Sequence, residues 1–219
     1  MKAAVFDAYG TLLDVHSAVS PHAHRLAGAA DALSLTWRTK QLEYTWVRTL
    51  SGQHADFGRI TDDALAFAAA RHGIDDVSLL ADLRDGYEQL TPHPDSAPAL
   101  QALRALGVGC VVLSNGPPPM LGRQLRHAGL AGVFDAVLSA ETAGVFKPHP
   151  DVYRLATAHF GRPSHEIAFV SSNPWDAFGA HGFGFRTIWV NRKGQPDEYG
   201  LQGKVDVIAD LSGLPALLG

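Results

Sequence analysis

Four short stretches of this chain carry groups able to do chemistry, and each stands after an apolar run or at a turn. Asp7 ends the run Ala3–Phe6 and is followed at once by Ala8, Tyr9, Gly10 and Thr11. Ser114-Asn115-Gly116 follows Val108–Leu113, and Lys147 stands in Val145-Phe-Lys-Pro-His-Pro150. The fourth, Ser171-Ser172-Asn173-Pro174-Trp175-Asp176, follows a run that ends at Val170. If these meet, two carboxylates, a hydroxyl beside free backbone N–H groups and one ammonium share a crevice. That is equipment for acid chemistry, with the ammonium of Lys147 keeping Asp7 ionised.

The elements that would bring them together are readable from periodicity. Apolar runs at Ala3–Phe6, Val108–Leu113, Val133–Leu138, Glu166–Val170, Phe185–Val190 and Val205–Ile208 read as strands. Helical patterns at Met120–Ala128, Val152–Phe160, Trp175–Gly182 and Leu211–Leu218 alternate with them. Strands alternating with helices predict a doubly wound α/β fold with a parallel sheet, whose ligands bind outside the carboxyl ends of the strands. The first two strands are separated by about a hundred residues, far more than a βα unit needs. Residues 15–92 have helical periodicity, with helices expected at Ala32–Ser51, from Thr61-Asp62-Asp63 into Ala64–His72, and at Leu79–Leu90. The expected organisation is a core of 1–14 and 93–219 with an all-helical cap of 15–92 inserted over the strand ends.

Taken singly, these residues have plainer explanations. An Asp after a strand is commonly a turn or a helix cap, as Asp14 is read here. Ser-Asn-Gly is a common turn, Lys-Pro a common surface loop, and Asp176 suits the first turn of a helix. Order and shared strand-end placement together make Asp7, Ser114, Lys147 and Asp176 a candidate site.

The stretch VFDAYGTLLDV resembles the nucleophile motif of the haloacid dehalogenase superfamily, and the four stretches follow its four motifs across the core. Tyr9 stands where the superfamily's phosphatases carry a second Asp, so the chain looks most like the L-2-haloacid dehalogenases. Tyrosine, with a reference pKa of about 10, cannot serve as that acid/base at neutral pH. The late motif offers one acid, Asp176, where Mg²⁺ would want an oxygen-rich octahedral shell. The segment Leu35–Leu50 resembles the family's first cap helix.

The resemblance implies a Rossmann-like core with a cap and a hydrolytic dehalogenation of L-2-haloalkanoates to D-2-hydroxy acids, with neither metal nor cofactor. Asp7 would form an ester and Asp176 would activate water. Arg38 would receive the halide, and Ser114 with Asn115 would hold the substrate carboxylate. Thr11, Lys147, Ser171 and Asn173 would orient the carboxylates and the water, with Tyr153 supporting Lys147. Tyr9, Leu42, Phe57 and Trp175 would enclose the substrate's carbon chain, and Ala8 would also bind substrate; Arg48 and Arg59 are read as structural or exposed. A phosphatase of the same superfamily, or a homologue acting on another small acid, is the alternative. Departures from the family pattern are Pro117-Pro118-Pro119 at the entrance and Gly58 where relatives carry Trp.

The rest of the sequence mainly excludes. A net charge of −4 over 219 residues gives no basic footprint for nucleic acid. No apolar segment is long enough for a membrane span. A lone cysteine, Cys110, fits a reducing compartment, so a cytoplasmic location is expected. The eleven histidines form no His-Glu-x-x-His. Pro-His-Pro-Asp, at 92–95 and 148–151, reads as helix-start chemistry both times. Gly179–Gly184 lacks the dinucleotide order, and no phosphate loop or Gly-x-Ser-x-Gly elbow occurs. By resemblance, the partners are a small 2-haloacid and a second copy of the chain in a homodimer.

Overall fold

The computed structural model describes residues 1–219. Its first half runs β1 (Ala3–Phe6), β2 (Leu13–Asp14), α1 (Ala30–Ser51), α2 (Phe57–Arg71), α3 (Val77–Tyr87), β3 (Thr91–Pro92) and α4 (Ser96–Ala105). The second half alternates: β4 (Gly109–Ser114), α5 (Pro118–His127), β5 (Ala136–Ser139), α6 (Pro150–Phe160), β6 (Ala168–Ser171), α7 (Pro174–Phe183), β7 (Arg186–Val190), β8 (Asp206–Ile208) and α8 (Leu214–Leu218). Six strands form one sheet in the order β5-β4-β1-β6-β7-β8, every pairing parallel. The doubly wound α/β expectation holds.

This order has one physical consequence that matters for function. The chain leaves β1 toward β4 and β5, then returns to the other side of β1 with β6. The crevice between the carboxyl ends of β1 and β6 is therefore the switch point of the sheet. Both strands are buried along their whole length, as apolar runs covered by helices on two faces must be. Asp7 is the first residue past β1 and Ser171 the last of β6, so the crevice opens on both.

All three α-helices of the insertion after β1 form, along with two short 3₁₀ turns at Val15–Ala18 and Ser20–Arg25. The helix expected to start at Thr61 starts at Phe57 instead. Asp56 caps it, its carboxylate accepting Gly58 N at 2.8 Å and Arg59 N at 3.2 Å. Thr61 is buried inside that helix and donates to the Phe57 carbonyl. The expected C-terminal helix divides into a 3₁₀ turn, Leu211–Gly213, and α8, where Pro215 in the first turn supplies no N–H to join them. The apolar residues Leu35 and Leu50 of α1 face solvent, at 63% and 88% exposure, so they are not core positions.

The insertion enters and leaves the core at one place: Leu13–Asp14 pairs antiparallel with Thr91–Pro92. Beside this ribbon, His93 N donates to Leu12 O at 2.9 Å and Ser96 Oγ to the same carbonyl at 2.9 Å. Asp14 does cap, accepting His16 N, and His149 caps α6 ahead of Pro150. Asp95 does not cap α4: no capping hydrogen bond runs from its side chain, which is committed elsewhere. No helix is long and apolar enough to cross a membrane.

Candidate active site

Asp7 is fixed by its backbone before its side chain is considered. Its N–H donates to Val170 O at 3.0 Å, which ties the residue past β1 to β6. Gly10 then turns the chain with φ +88, a left-handed value that favours glycine, and its N–H reaches Leu13 O at 2.7 Å. The turn brings Thr11 back over Asp7.

The Asp7 carboxylate is unevenly held. Its Oδ2 accepts from Thr11 Oγ1 at 2.9 Å and Asn173 Nδ2 at 2.8 Å, with Ser171 Oγ further off at 3.5 Å. Its Oδ1 accepts only from Lys147 Nζ, at 3.1 Å. Asn173 uses its second N–H on Tyr9 O at 2.9 Å, so it grips both sides of the loop after β1. Ser172 N donates to Thr11 Oγ1 at 2.8 Å, leaving that hydroxyl's hydrogen for Asp7.

Lys147 is buried, 1% exposed, between two carboxylates: its Nζ lies 3.1 Å from Asp7 Oδ1 and 2.9 Å from Asp176 Oδ2. Burial alone would lower its pKa, but Asp176 and Asp7 outweigh that and hold the ammonium above its ordinary value. Its backbone N–H donates to Asn115 Oδ1 at 3.0 Å, linking the third motif to the second. Asp176 is wholly buried in the first turn of α7. Burial pushes its carboxyl up to about 6; Lys147 pulls the other way and Asp7 adds to the rise. Tyr153 donates to Asp176 Oδ1 at 2.8 Å, and its own ionisation is pushed far up by burial first and by Asp176 second. The expectation that Tyr153 supports Lys147 is corrected here: its hydroxyl serves Asp176. Gly179, one turn further along α7, leaves the room that Tyr153 and Pro148 occupy, since a Cβ there would press on both.

Around this network the remaining expected residues divide. Ser114 is buried at the end of β4, its Oγ accepting Gly116 N at 3.2 Å, and Asn115 lies beside it. Arg38 reaches in from α1, Nη2 donating to Tyr9 O at 3.4 Å and Nη1 to Gln41 Oε1 at 2.8 Å. Tyr9 and Phe57 stack with ring centroids 5.4 Å apart, a wall joining the loop after β1 to α2. The Tyr9 hydroxyl points to Gln124 Oε1, at 2.9 Å, and burial holds it un-ionised. Trp175 meets Trp46 edge to face at 5.5 Å and lines a cavity of about 440 Å³ that reaches Lys147. Ala8 is buried and Leu42 half-buried, one residue past Gln41. Arg48 and Arg59 both pair with Asp63, at 3.7 and 3.8 Å, away from the site. Gly58 borders a small pocket of about 60 Å³ with Met120 and Tyr87, separate from Asp7.

Several contributors have no counterpart in the sequence reading. A polar cleft of about 740 Å³ runs from Arg38 and Asn173 along His16, His93, Arg192 and Lys193. Glu141 accepts Phe57 N at 3.2 Å and His54 lies 3.1 Å from its other oxygen, pinning the insertion to the core. Gln41 donates to Thr61 Oγ1 and Tyr87 Oη beneath Arg38. Arg192 carried a findable signal, because it lies just past the apolar run that forms β7. Gln41 and Glu141 carried none without the packing of α1 on α2. No three His, Cys, Asp or Glu side chains are grouped to hold a metal ion.

Comparison with known proteins places this geometry. Residues 1–184 match the haloacid dehalogenase-like hydrolase family. The (S)-2-haloacid dehalogenase 4A of Burkholderia cepacia is 46% identical over 200 residues, covering 91% of this chain and 87% of that protein. A dehalogenase solved with an intermediate complex superposes with a TM-score of 0.97 at 43% identity, over 100% of this chain and 97% of the other. The L-2-haloacid dehalogenase of Xanthobacter autotrophicus with chloropropionic acid covalently bound gives 0.91 at 38% identity, over 100% and 98%. With the switch-point crevice, the helical insertion and the buried Asp7–Lys147–Asp176 chain in place, the protein belongs to the haloacid dehalogenase-like hydrolases, in the family of the (S)-2-haloacid dehalogenases.

Proposed function

We propose that this protein is an (S)-2-haloacid dehalogenase, converting L-2-haloalkanoates to D-2-hydroxy acids through an ester on Asp7. The observation that carries the reading is the uneven hold on the Asp7 carboxylate. Oδ1, with Lys147 as its single partner, keeps a lone pair for backside attack on C2, and inversion at that carbon follows. Oδ2 then becomes the ester carbonyl oxygen. Thr11, Asn173 and Ser171 already face it, and they are the donors an oxyanion needs when water attacks the carboxyl carbon.

The other roles are those the family resemblance implies, and the positions of the residues support them. Ser114 and the Asn115 N–H hold the substrate carboxylate, and Arg38 takes the departing halide from the side of the insertion. Asp176, with its raised pKa, accepts a proton from the hydrolytic water. Lys147 neutralises both carboxylates in turn, while Tyr9, Phe57, Leu42, Ala8 and Trp175 surround the carbon chain. The phosphatase alternative fits less well. Tyr9, at the position of the phosphatases' second Asp, aims its hydroxyl at Gln124 rather than at Asp7.

The division into a core of 1–14 and 93–219 and a cap of 15–92 belongs to the same proposal, supported by the Leu13–Asp14 and Thr91–Pro92 ribbon at the boundary. So does a cytoplasmic homodimer. It is supported by one buried free cysteine and by Leu50, Phe178 and Tyr199 exposed around the 440 Å³ cavity, and sedimentation would test it. The central test is halide release from each enantiomer of 2-chloropropionate beside para-nitrophenyl phosphate. Turnover of the L enantiomer alone, lost in Asp7→Asn, is the expected result; phosphate release instead would overturn it. A single turnover in heavy-isotope water should label Asp7 before it labels the hydroxy acid.

A further inference from the structure

We propose that Arg192 is a positioning residue for the Asp7 reaction, acting through Thr11. Arg192 lies two residues past β7, on the rim that carries the catalytic network but one strand further out. Its Nη2 donates to Thr11 O at 2.8 Å, and its Nη1 meets Asp95 Oδ2 at 2.9 Å. Asp95 Oδ2 also accepts Leu211 N at 2.6 Å, so the arginine is anchored to the far end of the chain. Both side chains are mostly covered, 17% and 16% exposed.

The geometry of this pair is informative because it is incomplete. An arginine serving only its carboxylate would close a two-pronged fork, using both oxygens. Here Arg192 Nε and Asp95 Oδ1 are both buried without a partner. An unpaired buried polar atom is unfavourable, more so in a charged group. The guanidinium forgoes that second bond and turns one nitrogen to the carbonyl of Thr11. Thr11 is in turn the residue whose Oγ1 donates to Asp7 Oδ2 and accepts from Ser172 N. A β-branched side chain has few χ1 choices, so fixing the backbone of Thr11 fixes where its hydroxyl points. The same arginine lines the polar cleft with Arg38, which supplies the rival role of attracting the anionic substrate.

The kinetic arm of the test rests on the dehalogenase reading; a second arm does not. In Arg192→Ala, kcat for L-2-chloropropionate should fall about ten- to a hundredfold, the scale of a small misplacement near the chemistry. KM should stay within about twofold, because no uniform substrate contact is lost. Free guanidinium should restore part of kcat. Arg192→Lys, the milder variant that keeps the charge in the fold, should hold an intermediate kcat because it lacks the two separate Nη atoms that reach Thr11 O and Asp95 together. Independently, scalar couplings of the Thr11 γ-methyl by NMR should report one rotamer in the natural protein and averaging in Arg192→Ala. A raised KM with unchanged kcat would assign Arg192 to substrate attraction and overturn the proposal. Unchanged Thr11 couplings in the folded variant would overturn it equally. If the natural protein released no halide, the dehalogenase reading would fail, and the Thr11 couplings would still decide the role of Arg192.

Discussion

Tyr153 donates to Asp176 Oδ1, the carboxylate oxygen that Lys147 does not hold. The second acid of the site thus has one donor on each oxygen, one neutral and one charged. Both favour its ionised form against burial.

Removing the neutral donor should therefore be felt as a pH effect. In Tyr153→Phe the acid limb of ester hydrolysis should move to higher pH, with the plateau rate down about tenfold. Rapid-quench measurement of ester decay across pH checks this, and an unmoved limb would count against it.

The natural protein should show the same limb lower. Asp176 accepts a proton only when ionised, and burial sets its carboxyl at about 6. In the ester Asp7 carries no charge and no longer adds to that rise, so hydrolysis should hold steady at neutral pH and fall only as pH drops below that value. The first displacement does not use Asp176, so a burst of halide should grow at acid pH as ester accumulates.

Asp176→Asn separates the two steps completely. Halide should appear once per active site and then stop, with turnover down at least about a thousandfold. Intact-mass spectrometry should find the acid's carbon skeleton attached to the Asp7 peptide. Continued turnover would require another base.

Tyr9→Phe addresses structure rather than chemistry. It leaves Gln124 Oε1 without the Tyr9 hydroxyl in a buried setting, although Gln124 Nε2 keeps Tyr87 O at 2.7 Å. The expected loss is about 1–2 kcal/mol. In a chain of this size that lowers Tm by about 2–8 °C. Because the ring still stacks on Phe57, kcat should change little, as steady-state kinetics on the folded variant would show.

The parts of this protein legible in its sequence are those set by short-range rules. Strand ends, the long interval after β1 and the motif acids follow from apolar runs stopping at polar residues. The legible limit appears at Tyr153, whose place in the first turn of α6, just past Lys147, does not reveal that its hydroxyl turns to Asp176. Asp95 makes the same point. Its Pro-His-Pro-Asp setting predicts a helix cap, yet a distant arginine and the backbone of Leu211 claim the carboxylate. The start of α2 was displaced because Asp56 outcompetes Thr61 for the capping role, and only burial of Thr61 reveals that. Such choices are made by packing between segments far apart in the chain, where a single sequence carries no signal.

The short antiparallel ribbon joining Leu13–Asp14 to Thr91–Pro92 has an evolutionary reading. It closes a doorway through which all of the helical insertion passes, leaving the parallel sheet without a gap. A lineage can lengthen, trim or exchange everything beyond that doorway and inherit Asp7, Lys147 and Asp176 in unchanged register. Changes there would alter what Arg38 and Phe57 present above the crevice while the strand ends beneath it keep their places.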